Sequence, residues 1–231
     1  MAVSLINNEQ SKLSPKKPYD AVRLLANVQS TSALMFTMVI AFHLSSVFGA
    51  ALGLDANAIM HRARLFYQHP ILEFIFVYGA MIAHFASGIA RRVLLNRQGR
   101  KKPWTAHSVI GYILIFMVGS HVVGNHIYPN AMGLEDVWDY RGIGYIIDTR
   151  PRFMYIVWIN HVAVIGWHVF GGLNCILSGR RRAARMQRSA WVKAIYGLMV
   201  LGTVMGIGAI RRDVEGLDEE LKRRYDTLLG L

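Results

Sequence analysis

Apolar positions dominate five stretches of the chain, each about the 20 residues that an α-helix needs to cross hydrocarbon. The first runs 28–54, with no charge before Asp55. The second, 70–90, opens at Pro70 and closes at Arg91-Arg92. The third, 105–128, ends at Tyr128-Pro129. The fourth, 152–177, follows Pro151 and stops at Ser178-Gly179, and the fifth, 190–210, stops at Arg211-Arg212. No alternating strand pattern competes, so the expected fold is an all-α integral membrane protein, a bundle of five transmembrane helices. The expected organisation is an N-terminal segment 1–27, a transmembrane domain 28–210 and a charged amphipathic tail 211–231. Within 214–229, Leu217, Leu221 and Leu228 recur at helical intervals, and Glu219–Arg223 and Glu220–Arg224 are favourable pairs. That reads as a solvated or interfacial helix.

Charge sharpens the topology. The chain is 53% hydrophobic yet carries a formal net charge of +12. Apolar spans joined by basic loops reconcile the two values, and no continuous basic stripe points to nucleic acid. With five spans, the N-terminal segment and the loops 91–104 and 178–193 share one side and hold 16 Lys and Arg, against 10 on the other. The far side holds Glu135, Asp136, Asp139, Asp148 and the acids of the tail. The basic side is therefore expected to face the cytoplasm or an organellar matrix. The N-terminal residues lack an apolar run beside their charges and contain Glu9 and Asp20, so neither a secretory signal nor an ordinary mitochondrial presequence is expected. The lone Cys175 excludes a disulfide framework or a Cys-ligated cluster within the chain.

The chemistry lies in the histidines. His43, His84, His121 and His168 fall inside four different spans, where an ionisable group is costly. At 1.5 Å per residue, His84 and His168 lie about 9 and 13 Å from the basic side, and His43 and His121 about 22 and 24 Å from it. Two levels with two imidazoles each are the arrangement of axial ligands for two haems. Small residues follow each ligand within a turn: Gly88 after His84, Gly172 (with Gly171) after His168, Gly124 after His121 and Ser46 after His43. They would let a porphyrin approach the helix. His161, seven residues before His168 and about 24 Å deep, is an alternative far-side ligand. Interhelical hydrogen bonding is the competing explanation of the whole set. His61 and His69 read as loop residues, and His107 and His126 as span-end residues facing water or headgroups. Glu73, near the far end of the second span, is either a proton-transfer group for quinone chemistry or a carboxylate capping the helix after Pro70.

The run ILEFIFVYGAMIAHFASGIARR, with Leu72-Glu73 eleven residues before His84, resembles the second span of single-chain di-haem cytochrome b subunits of succinate dehydrogenases and fumarate reductases. AFHLSS, GSHVVGNHIYP and GWHVFGGLN fall where that family places its other ligands, and the similarity covers about 28–210. The resemblance implies haem b, two groups or one, with His84 and His168 holding the haem nearer a soluble dehydrogenase and His43 and His121 the distal one. It also implies a quinone substrate, and flavoprotein and iron–sulfur subunits on the basic side. VQSTSALMFTMVIAFHLSS, YQHPILE, IGYILIFMVGSHVVGNHIYP and GIGYIIDTRPRF are similar to a fungal mitochondrial outer-membrane family of lipid homeostasis. Its members complement loss of the tether between endoplasmic reticulum and mitochondria. That second likeness implies the same five-span fold without an established redox activity. Its basic runs, 97–102 and 180–182, would meet anionic headgroups or an adaptor. A mitochondrial membrane is expected in both cases, inner for the respiratory reading and outer for the lipid reading.

Overall fold

The computed structural model describes residues 18–100, 103–134, 138–186, 190–212 and 217–229. These residues form helices and turns with no strand among them. In chain order the helices are α1 (Pro18–Ala51), α2 (Ala56–Tyr67), α3 (Pro70–Arg97), α4 (Ala106–Ala131), α5 (Tyr140–Thr149), α6 (Pro151–Met186), α7 (Ala190–Arg212) and α8 (Glu219–Leu229). Five of them, α1, α3, α4, α6 and α7, are long and apolar enough to cross a membrane. The chain is thus an all-α, five-helix bundle of transmembrane character. Helix α1 begins ten residues before the expected span, so most of 18–27 belongs to the bundle, while 1–17 lies outside the described residues.

Glycines stop three of the five long helices in the same way. Gly53, Gly99 and Gly133 adopt φ of +77°, +71° and +65°. At each, the next residue donates its N–H five positions back: Leu54 to Gly49, Arg100 to Leu95 and Leu134 to Pro129, at 2.9–3.0 Å. The left-handed turn satisfies carbonyls that the helix end would leave orphaned, and only glycine adopts it without steric cost. Starts are capped as well. Asp55 accepts from the Ala58 N–H ahead of α2, and Thr105 and Ser108 form a reciprocal capping box ahead of α4.

Helix α1 is the hub. It packs against α3 on one flank and α7 on the other; α7 packs on α6, and α6 on α4. Neither α1 with α4 nor α3 with α6 is among the closely packed backbone pairs. Outward faces carry large apolar residues such as Phe74, Phe116, Leu177 and Leu198, as lipid contact requires.

The best-buried apolar clusters lie at the far side. The connections 55–69 and 129–152, read from sequence as loops, contain α2 and α5, which with α8 build a cap over the bundle. Val47, Ala50, Ala56, Met60, Tyr140 and Ile210 form one cluster there, and Leu134, Trp138 and Tyr225 a second. Tyr225 is fully buried, and Gly142 of α5 lies so close that a Cβ would sit 3.0 Å from its ring. The tail is therefore docked on α5, with Leu217 and Leu221 packed against it, rather than lying free. Lys222 pairs with Glu219 and Arg223 with Glu220, at three-residue spacing. The Leu228 side chain lies outside the described ones.

Asp139 caps α5 by accepting the Arg141 and Gly142 N–H groups, and it also holds the Arg141 guanidinium at 2.9 Å. Ser46 and Tyr140 share a hydroxyl–hydroxyl bond of 2.6 Å between α1 and α5. Burial, mainly, pushes the Tyr140 phenol up to about 12 and raises that of Tyr225 as well. Both phenols are favoured in their neutral form by the folded cap. Their contribution is complete below the ordinary value of 10 and falls as pH rises from there through about 12. Hydrogen exchange of α5 and α8 is expected to accelerate over that window, with Tyr140→Phe flattening the dependence. Tyr225→Ala is expected to cost about 3–5 kcal/mol and to expose α8 to limited proteolysis.

Candidate functional site

Each of the four span histidines meets another across the bundle. His84 of α3 and His168 of α6 have ring centres 6.2 Å apart, with planes at 89°. His43 of α1 and His121 of α4 have ring centres 5.7 Å apart, with planes at 83°. These are the partners that depth along the helices selects. In both pairs the rings connect helices whose backbones are not packed closely. An iron bound by two trans imidazoles, at roughly 2 Å per Fe–N bond, puts ring centres about 6 Å apart. Among the described residues no group of three or more His, Cys, Asp or Glu converges on one point. A porphyrin iron needs two protein ligands, not three.

The ring nitrogens fit such ligation to different degrees. His84 Nδ1 lies 3.0 Å from the Gln29 carbonyl. A carbonyl only accepts, so Nδ1 carries the proton and Nε2 keeps its lone pair for a metal. His168 Nδ1 is buried with no hydrogen-bond partner. His121 Nδ1 is 3.3 Å from the Asn125 amide nitrogen, which also donates to the His121 carbonyl at 3.0 Å. That contact puts the proton on Nε2; ligation through Nε2 requires a half-turn of the Asn125 amide, so that its oxygen accepts Nδ1–H. His43 meets the Tyr67 ring edge-on at 5.9 Å.

The neighbouring residues include several that the sequence pattern does not single out. His107 of α4 stacks on His168, with ring centres 4.2 Å apart and planes within 4°. It is the second residue of α4, at the span end as expected, but its ring turns to the bundle rather than to water or headgroups and stacks on one face of the His168 ring. Gly111, one turn further along α4, is what lets His168 fit: a Cβ there would lie 2.9 Å from its Cε1. Pairing His107 with Gly111 at i,i+4 is the only sequence signal of this arrangement. His161 is 6.2 Å from His121, close enough to remain an alternative partner. Both its ring nitrogens face carbonyls, Val157 at 2.9 Å and Met117 at 3.4 Å, and a neutral ring donates to one of them.

The small residues divide. Gly88 faces the Gln29 side chain, and Gly172 faces His107. Ser46 is committed to Tyr140 and to the His43 carbonyl. Gly124 borders open space, at a cavity of about 390 Å³ between α4, α5 and α6 that also reaches His121 and His161.

Glu73 does not cap its helix; it ends in a pair. It opens a π-helical stretch, Glu73–Gly79, and its carboxylate lies 2.9 Å from Nε2 of His126. His126 belongs to a second π-helical turn, Val123–Ile127, on α4. Each wide turn shifts the following residues around the helix axis, a distortion frequent at functional sites. The pair is partly covered, and Tyr78 lies beside the same carboxylate. It ties α3 to α4 at the level just outside His43 and His121.

On the basic side, Arg92 sits over the Trp104 ring at 3.6 Å, an anchor suited to a membrane interface. The side chains of 178–189, including Arg180–Arg182, lie outside the described ones, as do Lys101 and Lys102.

No family model matches the chain, nor does any curated protein or solved structure.

If Glu73 and His126 support one another, removing either partner leaves the other unpaired at membrane depth. Glu73→Leu and His126→Leu are each expected to lower unfolding stability in detergent, and the double variant to recover most of the loss. A double-mutant cycle is expected to give a coupling of about 1–3 kcal/mol; additive losses would show that the contact is incidental.

Proposed function

We propose that this chain is a b-type cytochrome-like membrane subunit holding two bis-histidine haems, and that it passes single electrons between a quinone pool and a soluble dehydrogenase. The observation that carries the reading is the pairing itself: two imidazole pairs at two levels, about as far apart as one iron sets, each joining helices whose backbones are not closely packed. His84 and His168 would hold one haem, and His43 and His121 the other. When bound, the group supplies reversible one-electron chemistry with no open position for oxygen.

The chain's own residues do the positioning. The Gln29 carbonyl fixes the His84 tautomer and His107 stacks against His168, while Asn125 would support His121 ligation once its amide turns to accept Nδ1–H. The Glu73–His126 pair, one level further out, is suited to exchanging a proton with a quinone bound nearby. On this reading, flavoprotein and iron–sulfur partners would meet the basic side, in an inner mitochondrial membrane. A second reading, an outer-membrane protein of lipid or haem handling, draws on the cavity that opens beside α4 and α6.

The test is a dithionite-reduced minus oxidised spectrum of the purified chain, with haem quantified per chain. Two haems with a b-type difference spectrum are expected, and His168→Ala is expected to remove one and leave the other. Lack of haem would refute the cytochrome reading. Loss of both haems together would refute the two-level pairing. Copurification of a dehydrogenase separates the respiratory role from the lipid role.

A further inference from the structure

The far-side cap holds a covered cation for which the described residues supply no anion. Of the arginines in the connections 55–69 and 129–152, Arg141 is paired with Asp139, and Arg62, Arg150 and Arg152 are exposed. Arg64, on α2, is half-buried and enters no ion pair among the described residues. Its Nη2 donates to the Trp138 carbonyl at 2.8 Å, and the Tyr67 phenol lies beside it. Both partners are neutral, whereas a guanidinium carries a full charge and five N–H donors. Drawing such a charge away from water without a counter-ion is costly. Its position is also specific. Arg64 and Tyr67 lie one turn apart on one face of α2. The Tyr67 ring meets His43 edge-on at 5.9 Å, and His43 itself is within electrostatic reach of Arg64. So is Tyr140, which is bonded to Ser46 one turn after His43. The cation therefore stands beside the outer histidine pair, on its cap side.

We propose that Arg64 is the counter-cation of the outer porphyrin, pairing with a propionate carboxylate of a haem held between His43 and His121. The inference rests on the haem reading and adds to it what orients the group. Two trans imidazoles leave a porphyrin free to turn about the line through the iron, and a charge pair at its rim removes that freedom. Arg64 also separates the two haems electrically. A cation beside the outer porphyrin favours its reduced form, and the effect falls off with distance toward the inner one. Within the chain, Glu135 and Asp136 are the competing anions, since they precede Trp138 in sequence; both lie outside the described residues. A carboxylate is the common chemistry, and blocking the porphyrin's own carboxylates tells the two sources apart.

The experiment uses the full-length His168→Ala chain, expected to keep the outer haem alone. It is loaded by optical titration with protohaem and, separately, with protohaem dimethyl ester, whose propionates carry no charge. The free acid is expected to bind about tenfold more tightly than the ester. Arg64→Gln is expected to abolish that preference. Arg64→Lys is expected to keep it, because it retains the charge while giving up the Trp138 contact. A cap weakened by either substitution would weaken both porphyrins alike, so the ratio reports the pairing and not the fold. A redox titration of the two-haem chain gives a second readout. Arg64→Gln is expected to lower one midpoint potential by about 59 mV, a tenfold shift in that haem's equilibrium, and to leave the other in place. No haem in the His168→Ala chain overturns the inference together with the two-level pairing beneath it. Haem bound with equal affinity for acid and ester, or a preference that survives Arg64→Gln, overturns the inference alone.

Discussion

A polar group inside hydrocarbon has no water to turn to, and this bundle is organised around that fact. Histidines from α1, α3, α4 and α6 bring their rings together in pairs across helices that are not closely packed, while His84 and His121 take hydrogen-bond partners in Gln29 and Asn125. A further polar contact between spans, Glu73 with His126, obeys the same constraint. Ring contacts between helices are the outcome of burying these imidazoles.

Rigidity comes from the far end. The cap of α2, α5 and α8 contains both well-buried apolar clusters, the buried Asp139 that starts α5, and the hydroxyl bond from Ser46 to Tyr140. Arg64 reaches from α2 to the Trp138 carbonyl at 2.8 Å and locks the cap to itself. Ser46 lies one turn from His43, so the cap fixes the height of the outer histidine pair. The inner pair is held otherwise, by the Gln29 carbonyl and by the face of His107. Two pairs with different supports are expected to differ in how readily they reorganise.

Much of this was legible in the chain. Hydropathy is read over about twenty residues, so the five spans emerge to within a few positions, apart from the early start of α1. Depth along a helix is simple arithmetic, and His84 and His168 do meet, as do His43 and His121. Direction around the helix is harder. His107 and His126 do lie near the ends of α4, but a one-dimensional pattern does not say which face they occupy, and the π-helical turns of α3 and α4 rotate the faces further. Ser46 looks like space for a porphyrin; its partner Tyr140 stands 94 residues away, beyond any local signal. Helices α2 and α5 are short and amphipathic, so they read as loops until their apolar faces are seen packed together.

The central claim is that each iron is held between imidazoles of two different helices. Low-temperature electron paramagnetic resonance of the oxidised, haem-loaded chain tests it most directly. The account predicts two low-spin ferric signals and no high-spin signal, since two imidazoles would hold each haem. A dominant high-spin, five-coordinate signal, or low-spin signals that survive intact in both His43→Ala and His168→Ala, would contradict it.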